Sequence, residues 1–183
     1  MITLNFNPFP VLETERLILR NITKEDVNEM FVLRSTPDIM KYIARPLHKN
    51  IEETDAFIKN IHANIESQDF INWAIALKSD NKLIGTIGFY RMQKEHDRAE
   101  VGYMLHTDFH KKGIMQEALT AVIKYGFQQM NLHSIEAVID PRNKASENIL
   151  TRNNFIKEAH FKENYFFEGD YLDSVHYSLL TKK

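Results

Sequence analysis

The richest chemical signal in the chain lies where a strand gives way to a helix, at Asp108-Phe109-His110-Lys111-Lys112-Gly113-Ile114-Met115. Backbone N–H groups at a helix opening point outward unpaired, the helix dipole favours an anion, and Lys111 and Lys112 add positive charge. A diphosphate suits such a place. The same residues also read as a solvated basic turn in which Gly113 lets the helix pack closely. A second opening follows at Pro141-Arg142-Asn143-Lys144-Ala145-Ser146, with Asn143 as a natural N-cap and Ser146 in the first turn. If the two helices flank adjacent strands, both N-termini open at one edge of the sheet, where open sheets hold their ligands.

Other chemistries are absent from the sequence. None of the six glycines (Gly85, Gly88, Gly102, Gly113, Gly126 and Gly169) belongs to a G-x-G-x-x-G or precedes a lysine, so neither the dinucleotide fingerprint nor the Walker loop is present. There is no cysteine, which removes disulfides, thiolate metal sites and a cysteine nucleophile together. His106 and His110 have the spacing of a metal pair, with Asp108 between them. They flank a turn and lack the glutamate of H-E-x-x-H, so we expect no metal.

Composition narrows the class further. With 43% apolar and 26% charged residues over 183 positions, the chain reads as one globular domain over 1–183. Lys plus Arg number 23 against 25 Asp plus Glu, a balance with no global field for nucleic acid. No secretory signal or membrane-length apolar run is visible, and we expect a cytoplasmic protein with no membrane partner.

The elements that must position these residues follow from periodicity. Arg16 to Arg20 alternates as a strand, and Thr23 can cap a helix opened by Lys24-Glu25-Asp26. Short and longer helices are expected at Ile39 to Ile43 and Ile51 to Ile65, then a hairpin of two strands from Ile71 to Leu77 and Leu83 to Tyr90. From Ala99 to Leu105, the residues Ala99, Val101, Tyr103 and Leu105 alternate with Glu100, Gly102 and Met104. A helix follows at Gly113 to Phe127, its wide apolar stripe calling for a sheet to cover. A strand at His133 to Ile139, a helix at Lys144 to Arg152, and strands from Phe155 towards Phe166 and from Tyr171 to Leu180 complete the order. This pattern predicts an α+β fold: a mixed, mostly antiparallel seven-stranded sheet with helices on both faces. Trp73 reads as core, while Tyr42, Tyr165 and Phe166 fit either core or the wall of a groove.

The segments AEVGYMLHTDFHKKGIMQEAL, IDPRNKASENILTRNNF and ENYFFEGDYLDSVHYSLL, in this order and at this spacing, resemble the GCN5-related N-acetyltransferases. The opening LETERLILRNITKEDVNEMF is similar to their ribosomal-protein alanine N-acetyltransferase branch, of RimJ/RimL type. The family's Q/R-x-x-G-x-G/A element falls on His110-Lys111-Lys112-Gly113-Ile114-Met115, with His110 and Met115 departing from it. Lys111 stands where the branch often has glycine. Asn143 and Ser146 match the N-x-x-S/A element beside the pantetheine end of coenzyme A. The family's frequent tyrosine acid falls at Leu150, which has no proton to give, and Asn154 replaces a glycine.

The resemblance implies a splayed parallel pair, Ala99 to Leu105 and His133 to Ile139, with acetyl-CoA between them in an α/β/α layered fold. It places backbone groups near Met104 and Leu105 on the pantetheine amides. Without a cysteine, direct attack by an amine is expected. Glu100 matches a glutamate used as base in parts of the family; it also reads as a surface partner for Arg98 or Arg91. Ser146 is the expected proton donor or thiolate partner, or simply a helix-capping hydroxyl. The acceptor is a protein N-terminal amine in a groove between Pro37 to Lys49 and the Phe161 to Tyr171 hairpin, or a polyamine or aminoglycoside held by Glu163, Glu168 or Asp170. A non-catalytic acyl-CoA-binding domain is the other reading, and a monomer or homodimer is expected.

Overall fold

The computed structural model describes residues 1–181. Its sheet comprises β1 (Leu12–Glu13), β2 (Leu17–Asn21), β3 (Ile71–Leu77), β4 (Leu83–Gln93), β5 (Arg98–Leu105), β6 (Ser134–Ile139), β7 (Ile156–Phe167) and β8 (Asp170–Leu180). The spatial order is β1-β2-β3-β4-β5-β6-β8-β7, antiparallel throughout except for β5 beside β6. Among the described residues the sheet therefore has eight strands where the pattern predicts seven. The extra one, Leu12–Glu13, pairs with Leu19 and Ile18 but is two residues long, too short to carry a period.

Among the described residues, five α-helices accompany the sheet: α1 (Val27–Ser35), α2 (Pro37–Met40), α3 (Ile51–Glu66), α4 (Ile114–Gln128) and α5 (Lys144–Arg152). Thr23 opens a 3-10 turn at Lys24–Asp26 that runs into α1. The short helix lies at Pro37–Met40 rather than Ile39 to Ile43, because proline, with its fixed φ and missing donor, belongs in a first turn. Asn50 and Asn143 cap α3 and α5 by accepting the backbone N–H three residues on.

Strand alternation distributes the helices over both faces. Phe89 turns to α4, where a Cβ on Gly126 would lie 2.7 Å from its ring, so Gly126 gives the close approach. Its neighbour Tyr90 turns to the other side, towards α1 and the buried Arg34. Phe89 pairs with Val101, so Val101, Tyr103 and Leu105 share the α4 face and Glu100, Gly102 and Met104 the α1 face. Trp73 is fully buried against Phe9, Phe89 and Tyr125, and its indole N–H donates to the Pro10 carbonyl.

The parallel pair is joined over only three residues. Arg98, Ala99 and Glu100 face Ser134, Ile135 and Glu136. Beyond Glu100 and Glu136 the two strands run on, to Leu105 and Ile139, without partnering each other. This is the splay that the resemblance implied. Among the described residues, no helix is long and apolar enough to cross a membrane.

Candidate active site

The turn after β5 leaves a row of backbone donors free. The N–H groups of Phe109 and His110 close the 3-10 turn by donating to His106 and Thr107 carbonyls, and Glu117 N–H returns to the Gly113 carbonyl. Between them, the N–H groups of Lys111, Lys112, Gly113, Ile114, Met115 and Gln116 have no hydrogen-bond partner among the described residues. Left-handed backbone at Lys111 (φ 60°) and Gly113 (φ 76°) curls this row into a cradle. Arg16 braces it from behind: its Nη1 donates to the Lys112 carbonyl at 3.0 Å and its Nε to Glu117 at 2.7 Å. Burial opposes ionisation of Glu117, but hydrogen bonds from Thr14 and Arg16 prevail and hold its carboxyl below the usual range. That carboxylate, which would repel an anion at the helix opening, is thereby turned to Arg16.

Within the loop, the side chains contribute less than their types suggest. Ile114 and Met115 are buried in the core, so only their amides face outward. Lys112 reaches over the Phe109 ring at 5.6 Å. His110 does not point its ring across the cradle as a phosphate ligand; the imidazole Nε2 lies 3.0 Å from the Leu105 carbonyl and fastens the loop to the strand end. The backbone N–H of His110 is likewise spent on Thr107.

The strand beside the splay needs a similar correction. His106 N–H donates to the Ile84 carbonyl, and alternation along the antiparallel ladder then commits Met104 and Gly102 to β4. The backbone groups of Val101, Tyr103 and Leu105 are the ones turned towards the open side. Of the two residues expected there, Leu105 keeps its N–H free while its carbonyl meets His110, and Met104 is occupied by Thr86.

Glu100 sits at the fork, the last residue paired with β6. A bulge in β4 shifts the register between Tyr90 and Gln93 and puts Arg91 in left-handed backbone at φ 45°. Arg91 Nη1 thereby reaches Glu100 Oε2 at 2.8 Å. The Glu100 side chain is 17% exposed against 66% for Arg91. Burial raises the Glu100 carboxyl above its ordinary value; Arg91 opposes this and neighbouring Glu136 adds to it. Arg98, the other expected partner, pairs instead with Glu136 at 3.2 Å, and His176 Nδ1 lies 2.8 Å from the same carboxylate.

At the opening of α5, the Asn143 side chain accepts from Ser146 N–H at 3.1 Å, so its capping role is filled. Ser146 is buried, and Leu150, one turn on, is fully buried. Beside the Ser146 hydroxyl lies that of Tyr103, which has no hydrogen-bond partner among the described residues. Sequence reading assigned Tyr103 only to a strand face, and that alternation, which sets it with Val101 and Leu105, is the one local signal of where its side chain turns.

A groove of about 200 Å³ opens between the segment after α2 and the β7–β8 hairpin, and Tyr42, Arg45, Arg142 and Tyr165 line it. Asp140, at the end of β6, is buried on its floor and holds Arg142 by paired hydrogen bonds. Phe166 lies outside, 61% exposed and packed on Tyr171.

Comparison with known proteins agrees with this geometry. The acetyltransferase (GNAT) domain family matches residues 16–156. The uncharacterized N-acetyltransferase YoaA of Bacillus subtilis (strain 168) is 33% identical over 96% of this chain and 99% of its own. A GNAT-family acetyltransferase from Bacillus anthracis superposes with TM-score 0.83 at 29% identity, covering 93% of this chain and 98% of its own. The ribosomal L7/L12 α-N-protein acetyltransferase RimL, solved with coenzyme A, shares the fold with TM-score 0.85 at 21% identity, covering 93% and 98% of the two chains. The residues present fit the acyl donor of these enzymes, a diphosphate on the free amides and an extended arm in the splay. The chain belongs to the GNAT N-acetyltransferases, acyltransferases that use acetyl-CoA.

Proposed function

We propose that the chain acetylates the N-terminal amine of a protein, with Glu100 as the base that relieves the amine of its proton directly or through water. The observation that supports this most is the fork itself: Glu100 is the residue at which β5 and β6 part. Acetyl-CoA, when bound, supplies an activated acyl carbon and a thiolate leaving group. The free amides from Lys111 to Gln116 would hold its diphosphate, and the backbone N–H of Leu105 and of Tyr103 would meet its extended arm. A carboxylate raised by burial retains a captured proton better than an ordinary glutamate, which suits a base. The Ser146 hydroxyl serves the sulfur end.

The groove favours a peptide over a polyamine. Lys41, Arg45 and Arg142 line it, while Asp140 is already neutralised by Arg142 and Glu168 is the remaining carboxylate. Neither Glu163 nor Asp170 lies on its wall. Two tyrosines and the two cations outside the Asp140–Arg142 pair, Lys41 and Arg45, accommodate an extended segment with acidic side chains better than a chain of ammonium groups. Free-thiol release from acetyl-CoA, measured with acidic N-terminal peptides and with spermidine, tests the reading. Peptides are expected to turn over faster; preference for spermidine overturns the acceptor, and no thiol release with any amine overturns the enzyme reading of this site.

A further inference from the structure

Two hydroxyl groups meet where β5 leaves its partner, and one of them is unaccounted for. The Tyr103 side chain rises from the unpaired half of β5 on the face that carries α4, and its oxygen comes to rest beside Ser146 in the first turn of α5. The oxygen is shielded from solvent, and although the Ser146 hydroxyl lies close enough to influence it, no group among the described residues meets it in hydrogen-bond geometry. An orphaned buried hydroxyl costs the folded protein free energy, because the bond it made with water has not been replaced. Such a group persists where something else completes it. Leu150, the next residue along the α5 face, is aliphatic and fully buried, so Tyr103 and Ser146 are the protic side chains meeting there.

We propose that Tyr103, together with Ser146, donates a hydrogen bond to the sulfur of coenzyme A and stabilises the charge that builds there as the thioester is cleaved. This rests on the reading that the arm of acetyl-CoA occupies the splay. During transfer the carbon–nitrogen bond forms, the carbon–sulfur bond breaks with its electron pair going to sulfur, and the amine's surplus proton leaves through Glu100. The sulfur is neutralised afterwards by a proton from solvent. Tyr103 itself keeps its proton. Burial pushes its hydroxyl up to about 12, with the Ser146 hydroxyl offsetting part of the rise, whereas a thiol ordinarily titrates near about 8.5. A donor that much weaker as an acid than the thiol shares its hydrogen rather than surrendering it, in the manner of an oxyanion-hole donor.

Coenzyme A alone tests the assignment, without an acceptor. Ultraviolet absorbance of the thiolate is followed against pH for coenzyme A bound to the wild-type protein, to Tyr103→Phe and to Ser146→Ala, with binding checked separately by thermal shift. A hydrogen bond to a charged group corresponds to roughly one to two pH units. The bound thiol of the Tyr103→Phe variant is therefore expected to titrate about that much higher than in the wild type, with Ser146→Ala shifted in the same direction. Acetyl transfer by Tyr103→Phe is expected to fall roughly 10- to 100-fold at unchanged acetyl-CoA affinity. If coenzyme A binds both proteins and its thiol titrates at the same pH in each, the Tyr103 assignment is overturned. If coenzyme A does not stabilise the wild type at all, the cofactor reading of the splay fails first, and this inference with it. Should Tyr103→Phe fold poorly, Tyr103→Met, which fills similar volume without a donor, serves the same comparison.

Discussion

Two carboxylate–arginine pairs in this molecule have opposite characters. Asp26 and Arg20 meet through both guanidinium Nη atoms at 2.8 Å, with side chains 8% and 15% exposed, and Asp26 also accepts from Thr23 N–H. Burial works against the Asp26 carboxylate, yet Arg20 and Thr23 overcome it and hold the carboxyl below its usual range. Glu100 has a single bond from a largely exposed arginine, a second carboxylate beside it in Glu136, and a carboxyl raised by burial. The bidentate pair locks the entry of α1 to β2. The looser pair leaves burial unopposed enough that the Glu100 carboxyl stands above its ordinary value. Partner geometry and the sign of the neighbouring charges, rather than burial alone, separate a carboxyl held low from one pushed up.

Substitution should pull the two apart. Glu100→Gln is expected to cut acetyl transfer by roughly 10²- to 10⁴-fold while acetyl-CoA still stabilises the protein in a thermal-shift assay. An unchanged rate removes Glu100 from the chemistry. Asp26→Ala strands Arg20 in a largely buried setting and should cost roughly 3–5 kcal/mol in urea unfolding, with the activity of the remaining folded fraction intact.

The pH dependence of the two pairs runs in opposite directions. Because the folded-state value of Asp26 is lowered, its contribution is present above the ordinary carboxylate range and is lost as pH falls through the lowered value. The folded-state value of Glu100 is raised, so the native protein binds its proton more readily and loses stability as pH rises through that window. Subtracting the stability–pH curve of each variant from that of the wild type should give slopes of opposite sign. Arg91→Met removes the contact that restrains Glu100 and should move the acid limb of the rate profile to higher pH. The smallest effect is expected at Lys111→Gly, which relieves left-handed backbone worth about 1 kcal/mol and leaves both slopes as they were.

What could be read from the chain follows from where its instructions are local. Asn143 announces α5 because capping is a three-residue event, and the helix begins at Lys144 as expected. The alternation from Ala99 to Leu105 identified β5 and its two faces. Arg91 and Arg98 both read as partners for Glu100 in the sequence, and what decides for Arg91 is the β4 bulge, a property of the pairing that no local pattern announces. His110 carries the same identity whether it faces an anion or the Leu105 carbonyl, and the choice depends on how the turn closes. Tyr103 lay in plain view as a strand residue. Its orphaned hydroxyl appears only once α5 is folded back over the sheet.

The three-residue junction of β5 with β6 has a mechanical consequence. Within the sheet, the strands from β1 to β5 form one plate and β6, β8 and β7 another, joined to each other by three residue pairs. Whatever spans the gap acts as mortar between the plates, so amide exchange in β6 and the far half of β5 should slow when the cleft fills, while the far edge at β1 and β2 stays indifferent.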